Sequence, residues 1–338
     1  MIDRKLYVDF LAVISTLAVV FLHTNTVFWS HPSGTLWISA NLIETLFYFA
    51  VPIFFMISGV GLINYRERYP TKTFFTKRFK KVCIPFLFWA FFSVLAGGEH
   101  FADITLKDLY DAVVNNKFMS IYWFFFPLFA IYLSMPVISL LAGKLCIFKY
   151  MIIYATISYF ILPFLSAFFE IQVNYSIQSP VTGGFLLYPI LGYYLSQIEI
   201  SYKHRIVIYL MGFFGFLVHL LGTLYLSEPN GNINMLFKGY LNWPCLLQSI
   251  AVFIFFKNLD YSYIAQSESL MKILSIFRSV GLGVYLIHFY VLQIVWNKLH
   301  VPVDSIIFRT VGAVVVFVFC SLLVFYCRKF RIGKLIFP

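Results

Sequence analysis

The chain predicts an all-α fold: a polytopic membrane helix bundle of about ten transmembrane helices, with both termini cytoplasmic. Three observations carry this expectation. Of its 338 residues, 61% are hydrophobic and only 12% are charged, about half the roughly 25% charge of a soluble domain. Apolar runs recur along the chain at close to the 20-residue length that crosses a hydrocarbon core of about 30 Å. Lys and Arg gather in alternate connecting segments, as the positive-inside rule requires.

The first run, 6–28, follows Arg4 and Lys5 and carries Asp9 and His23. It is too long for a signal-peptide core and lacks a clear small-x-small cleavage site, so it stands as the first helix. The second, 38–63, holds Glu44 near its outer end. Run 82–98 is short and follows a basic segment. Runs 119–142 and 146–169 have ordinary length, whereas 183–198 is again short. Run 206–227 contains His219, 240–256 carries no charged residue, 279–297 carries Tyr285 and His288, and 305–327 is the last.

Ten crossings put both termini on one side. With the N-terminus inside, only Lys107, Lys117, Lys238, Lys298 and Arg309 of the 25 Lys and Arg fall outside or near it, which orients the bundle. The longest outer loop, about 98–118, carries Glu99, Asp103, Asp108 and Asp111 and suits a short interfacial helix; the inner segment 257–278 reads as a loop. No repeat or linker divides the chain, so 1–338 is expected to be a single membrane domain. The net charge of +11 is topogenic and faces anionic membrane lipids, so nucleic acid is not an expected partner. Five scattered cysteines without a CxxC motif imply neither a disulfide framework nor a zinc site, and no metal is expected.

An ionisable side chain inside a spanning helix is costly and marks a functional site by default. His23 lies 18 residues beyond Lys5, about 27 Å along the helix, at a depth similar to Glu44. A carboxylate beside an imidazole raises its basicity and fixes its tautomer, as a general base for a hydroxyl needs. His23 and Glu44 are therefore the candidate catalytic pair. The alternative is that each merely bonds a neighbouring helix. The inner loop around Lys77, Arg78, Lys80 and Lys81 is either a topology signal or a seat for a cytoplasmic polyanion, since Arg and Lys clamp phosphates. Tyr285, His288 and Trp123 are candidate substrate contacts, although His288 reads first as an interhelical hydrogen-bonder and as a substrate contact otherwise. HExxH, GxSxG and Walker motifs are absent.

Several ordered segments resemble the acyltransferase family 3 membrane proteins. These are Tyr7-Val8-Asp9 leading to His23, VPIFFMISG at 51–59, TKRFKKVCIPFLFW at 76–89, YWFFFPLFAIYLSMPVI at 122–138 and GLGVYLIH at 281–288. No single motif is sharp, but the ordered set covers essentially the whole chain. Length and the lack of a fused domain look most similar to the enterobacterial common antigen O-acetyltransferase type. The resemblance implies transfer of an acyl group, usually acetyl from cytoplasmic acetyl-CoA, onto a hydroxyl of a cell-surface polysaccharide or lipid-linked glycan precursor in a bacterial inner or plasma membrane. It assigns the family's helix-one histidine to His23 and its basic stretch to Arg78 with Lys77, Lys80 and Lys81. Its Ser-Gly pair falls on Ser58-Gly59, small enough for close helix approach. Two positions depart from the family. Ala12 stands where an arginine usually precedes the histidine by eleven residues, and Tyr48 stands where many relatives have arginine ahead of Val-Pro. These departures are the argument for a rival reading, a glycan exporter or export accessory with a degenerate acyltransferase fold. A third reading is an ion-coupled transporter using Asp9, Glu44 and His23.

Overall fold

A computed structural model describes residues 6–97, 104–179, 182–227 and 232–338; Arg4, Lys5, Glu99 and Asp103 lie outside the described residues. Among these residues all regular structure is helical. Helix α1 (Leu6–Thr24) ends in a tight 3-10 turn, Thr26–Ser30, that leads the chain into α2 (Gly34–Phe47) and α3 (Ala50–Leu62). These two make one apolar stretch broken at Tyr48–Phe49, because Pro52 has no N–H to return to the Tyr48 carbonyl. A later helix answers the exposed carbonyls. Gln248 Nε2 donates to the Thr45 and Leu46 carbonyls at 3.0 and 3.2 Å, and Cys245 Sγ lies 3.9 Å from that of Tyr48.

Helix α4 (Thr71–Arg78) passes through a π turn, Phe79–Cys83, into α5 (Ile84–Ala96). The expected interfacial helix is α6 (Leu106–Val113), started by a capping box in which Thr105 and Asp108 bond each other's backbone N–H. Then come α7 (Phe125–Ile138), α8 (Leu145–Ala155) and α9 (Leu162–Phe169), the last two joined by a π turn ahead of Pro163. The remainder is α10 (Leu187–Gln197), α11 (Tyr202–Leu226), α12 (Trp243–Lys257), α13 (Ser262–Gln266), α14 (Glu268–Lys298), α15 (Ala313–Cys327) and α16 (Gly333–Ile336).

Eight helical stretches among the described residues are long and apolar enough to cross a membrane, rather than ten. The other two apolar runs give shorter helices for local reasons. Run 183–198 opens with a 3-10 turn at Gly184–Leu186, where Gly184 has φ +59, leaving eleven residues for α10. Run 240–256 has its first residues outside the helix, and Asn242 caps the fifteen residues of α12. The segment 257–278 differs from expectation in the other direction. Most of it is helix, because α14 begins at Glu268, where Ser267 accepts the Leu270 N–H.

One core runs from Tyr7 to Phe337, with α1 packed among α3, α14 and α15 and with α3 against α10. Small residues set these approaches. Gly59 lies on the Pro189 backbone and Gly192 on the Met56 backbone, so a Cβ at either would collide with a carbonyl; this is the close approach expected at Ser58-Gly59. Gly281 likewise meets the Thr16 hydroxyl, drawing α14 onto α1 below the two histidines. On the outer surface the apolar side chains are exposed, Leu133 and Phe213 among them, as a lipid-facing surface allows.

The charge distribution makes the orientation testable. In a background without the native cysteines, a cysteine at exposed Ser33 is expected to react with an impermeant thiol reagent on whole cells. One at exposed Ser201 is expected to react only after lysis, and labelling of Ser201→Cys in intact cells would reverse the orientation.

Candidate active site

His23 sits on the last turn of α1 and His288 in the middle of α14. Their rings lie nearly parallel, 8° apart, with His23 Nδ1 2.6 Å from His288 Nε2. The backbone decides which nitrogen donates. His288 Nδ1 lies 3.0 Å from the Val284 carbonyl and 2.8 Å from that of Tyr285. Carbonyls only accept, so Nδ1 carries the proton and the Nε2 of a neutral His288 presents its lone pair. His23 Nδ1 then donates to it, which leaves the lone pair of His23 on Nε2. His288 is fully buried whereas His23 is half-buried, so the free lone pair belongs to the less buried of the two rings. The Phe289 ring stands edge-on to His23 at 5.8 Å.

The bracing of α14 comes from the 3-10 segment Ser120–Phe124. Tyr122 Oη donates to the Leu286 carbonyl at 2.9 Å, and Tyr285 Oη donates to the Ile121 carbonyl. The end of α1 is held by Arg309, which is 1% exposed. Its Nη1 donates to Asn25 Oδ1 at 3.1 Å and its Nη2 to Ser39 Oγ at 3.0 Å, while Asn25 Nδ2 donates to the Ala40 carbonyl at 2.8 Å. The two residues after His23 are thereby tied to α2 and to the start of the last span.

The expected His23–Glu44 pair does not form. Glu44 Oε1 lies 3.7 Å from Lys238 Nζ, and both side chains are buried. A carboxylate in a low-dielectric setting is drawn to a full ammonium charge more strongly than to a neutral imidazole. Lys238 also lies 3.8 Å from the Tyr48 ring centre and 4.5 Å from that of Phe28. Burial pushes its ammonium down to about 8, with Glu44 opposing. Trp123 belongs to this neighbourhood and not to the histidines: it stacks on Tyr240, which stacks on Tyr48. His288 does reach His23, and Tyr285, one turn earlier on the same face of α14, packs on the His288 ring at 5.8 Å rather than on His23 itself.

Beneath the histidines a cavity of about 190 Å³ is lined by Ala12, Thr16, Ser58, Tyr132, Arg278 and Tyr285 with apolar neighbours. Arg278 stands at its basic end, half-exposed, with Nε 2.6 Å from Asp9 Oδ1. The Arg78 guanidinium lies 5.7 Å from the ring centre of Tyr132, and its buried Nε has no hydrogen-bond partner. The four expected donor contacts therefore divide. In a regular helix Lys77 and Arg78 would share a face with Lys80 and Lys81. The wide π turn at Phe79–Cys83 shifts that register. Lys77 instead caps the Tyr69 ring at 3.9 Å, while Lys80 and Lys81 line a separate pocket with the C-terminal segment.

Arg278, Lys238 and Arg309 were not among the expected site residues. Arg309 had a signal, since a lone arginine at the start of an apolar run is costly to place there. Arg278 and Lys238 had none, because their role depends on which helices meet. Both stand where the chain lacks a family arginine: Ala12 lines the cavity that Arg278 enters, and Lys238 covers the Tyr48 ring. Among the described residues no three His, Cys, Asp or Glu side chains gather as a metal site would need.

A sequence profile described as an acyltransferase domain matches residues 5–325. No curated protein and no solved structure matches the chain.

Proposed function

This chain belongs to acyltransferase family 3 and is a membrane transferase of acyl groups, and from that premise we propose that it moves acetyl from cytoplasmic acetyl-CoA to a glycan hydroxyl. The acceptor in this reading is a cell-surface polysaccharide or a lipid-linked precursor, of the enterobacterial common antigen kind. The whole chain acts as one domain in a bacterial inner membrane, with its basic face inside.

The His23–His288 pair carries the reading. His23 Nε2 takes the proton of the acceptor hydroxyl as its oxygen attacks the acyl carbonyl. His288 Nε2, held by two carbonyls on the far side of its ring, stabilises the imidazolium through the Nδ1–H that points at it. The departing thiolate then recovers the proton. Arg278 and Arg78 suit the donor's phosphates, being guanidiniums beside a cavity that runs toward the histidines. Tyr285 lines that cavity and lies one turn, about 5 Å along the helix, below His288. The exporter alternative drew on the missing cations at Ala12 and Tyr48. Arg278 and Lys238 bring positive charge to those same places, which favours the enzyme.

Two measurements test this together. Calorimetric titration of the detergent-purified protein with acetyl-CoA is expected to show saturable binding, and a flat titration at millimolar ligand would sink the donor assignment. Acetyl ester per sugar in purified surface glycan is expected to fall when the protein is removed. A fall in glycan yield at constant acetylation would favour export.

A further inference from the structure

Lys80 and Lys81, set apart from the donor route by the π turn, enter a pocket of about 860 Å³ with Arg328, Lys329 and Lys334. Among the described residues no acidic side chain lines it. The pocket is built by the chain's own end. Helix α16 folds back so that the Ile336 carbonyl accepts from Trp89 Nε1 at 3.1 Å and the Phe337 ring packs on Trp89. Gly333 seats directly on the Cys327 carbonyl, where a Cβ would collide. This return brings Lys334 to the other cations, and Arg328 is fixed by the Ser279 carbonyl at 2.6 Å.

Along the same seam between α5, α14 and α15 runs an apolar groove of about 610 Å³, walled by Phe88, Trp89, Phe92, Tyr290, Ile294 and Leu323. Its far end is marked by Asn297 and Lys298. From Ser279 in the pocket to Lys298 the helix climbs about 28 Å at 1.5 Å per residue, close to the roughly 30 Å of a hydrocarbon core. The cavity below His288 shares no lining residue with either space.

We propose that this seam is a binding site for an anionic glycerophospholipid, its phosphate among Lys80, Lys81, Arg328, Lys329 and Lys334 and an acyl chain in the groove. Charge complementarity selects the head, since basic pockets between spanning helices hold anionic headgroups. The adjoining apolar groove selects a lipid over a soluble polyphosphate, for which a wall of Phe, Trp and Ile offers nothing. The site is independent of the acyl-transfer reading.

The test uses the full chain in detergent, with native mass spectrometry for retained lipid and thermal unfolding for stabilisation. Phosphatidylglycerol is expected to be retained and to raise Tm, while phosphatidylcholine of the same chains is not. The Lys329→Gln/Lys334→Gln variant is expected to retain phosphatidylglycerol about tenfold more weakly with its acetyl-CoA titration unchanged. Ala96→Trp, which fills the groove and leaves every cation in place, is expected to weaken retention as well. Equal retention of phosphatidylcholine would overturn the proposal, as would displacement of phosphatidylglycerol by glycerol phosphate. Loss of acetyl-CoA binding in the lysine variant would also overturn it, by making the pocket the donor's seat. A flat acetyl-CoA titration in the unaltered protein, with phosphatidylglycerol still retained, would remove the transferase chemistry and leave the lipid site standing.

Discussion

Replacing His288 by alanine is expected to reduce acyl transfer about as severely as replacing His23, by roughly 100- to 10,000-fold, the usual contribution of a positioned general base. His288 touches no substrate in the proposed reaction. Its effect runs through the 2.6 Å bond to His23 Nδ1, which fixes the tautomer that leaves Nε2 free. Two groups acting as one unit give losses that do not add. The double variant His23→Ala/His288→Ala is therefore expected to be no slower than His23→Ala alone. His288→Gln keeps an oxygen able to accept from Nδ1–H and is expected to recover part of the rate. The amount of each variant in the membrane provides the control for folding. Additive losses would mean that the two rings work separately, and near-normal acetylation by His288→Ala would remove the pair from the mechanism.

Arg278→Ala is expected to weaken acetyl-CoA binding by a factor of about ten to a hundred, the equivalent of roughly 1.5–3 kcal/mol for lost charge-assisted hydrogen bonds. KM should rise with little change in kcat, since the guanidinium acts on the donor's phosphates in ground state and transition state alike. The Asp9 contact is half-exposed on the arginine side but buried on the carboxylate side, so losing the arginine also costs some stability, and the amount of folded variant is measured beside its binding. Adding Ala12→Arg to Arg278→Ala returns a cation to the same cavity from α1, three residues beyond Asp9. Binding is expected to recover in part. If Arg278→Ala leaves the titration as it was, the donor enters elsewhere.

How much of this was legible in the amino-acid order follows from the range of the interactions. Apolar runs and charge asymmetry are local, and they marked the long apolar helices, the short helix at Leu106–Val113 and the half-buried His23. Pro85 and Pro163 were visible too, but the π turns that precede them were not. One extra residue per turn sufficed to send Lys80 and Lys81 away from Arg78. Partners far apart in the chain were beyond reach. His23 and His288 are separated by 265 residues, and equal depth in the membrane had pointed to Glu44 instead. Depth says nothing about which face of a helix a side chain occupies. Lys238, assigned to an outer loop by charge counting, is buried against Glu44 and Tyr48 because a loop can fold back under the surface.

The Tyr285 hydroxyl on the Ile121 carbonyl has a bearing on the cell's energy supply. A passage open from the basic face to the half-buried His23 would be a wire for protons, and a membrane that leaks them cannot hold its gradient. One neutral hydrogen bond contributes about 0.5–1.5 kcal/mol net, so that latch alone would stand open for a sizeable share of the time. The seal must therefore reside in the rings and aliphatic chains around it: Phe54, Phe124 and Leu128 line the space below the latch and discourage a continuous file of water. Insulation by dryness survives an opened latch, so the proposed acyl transfer need not cost the membrane its gradient.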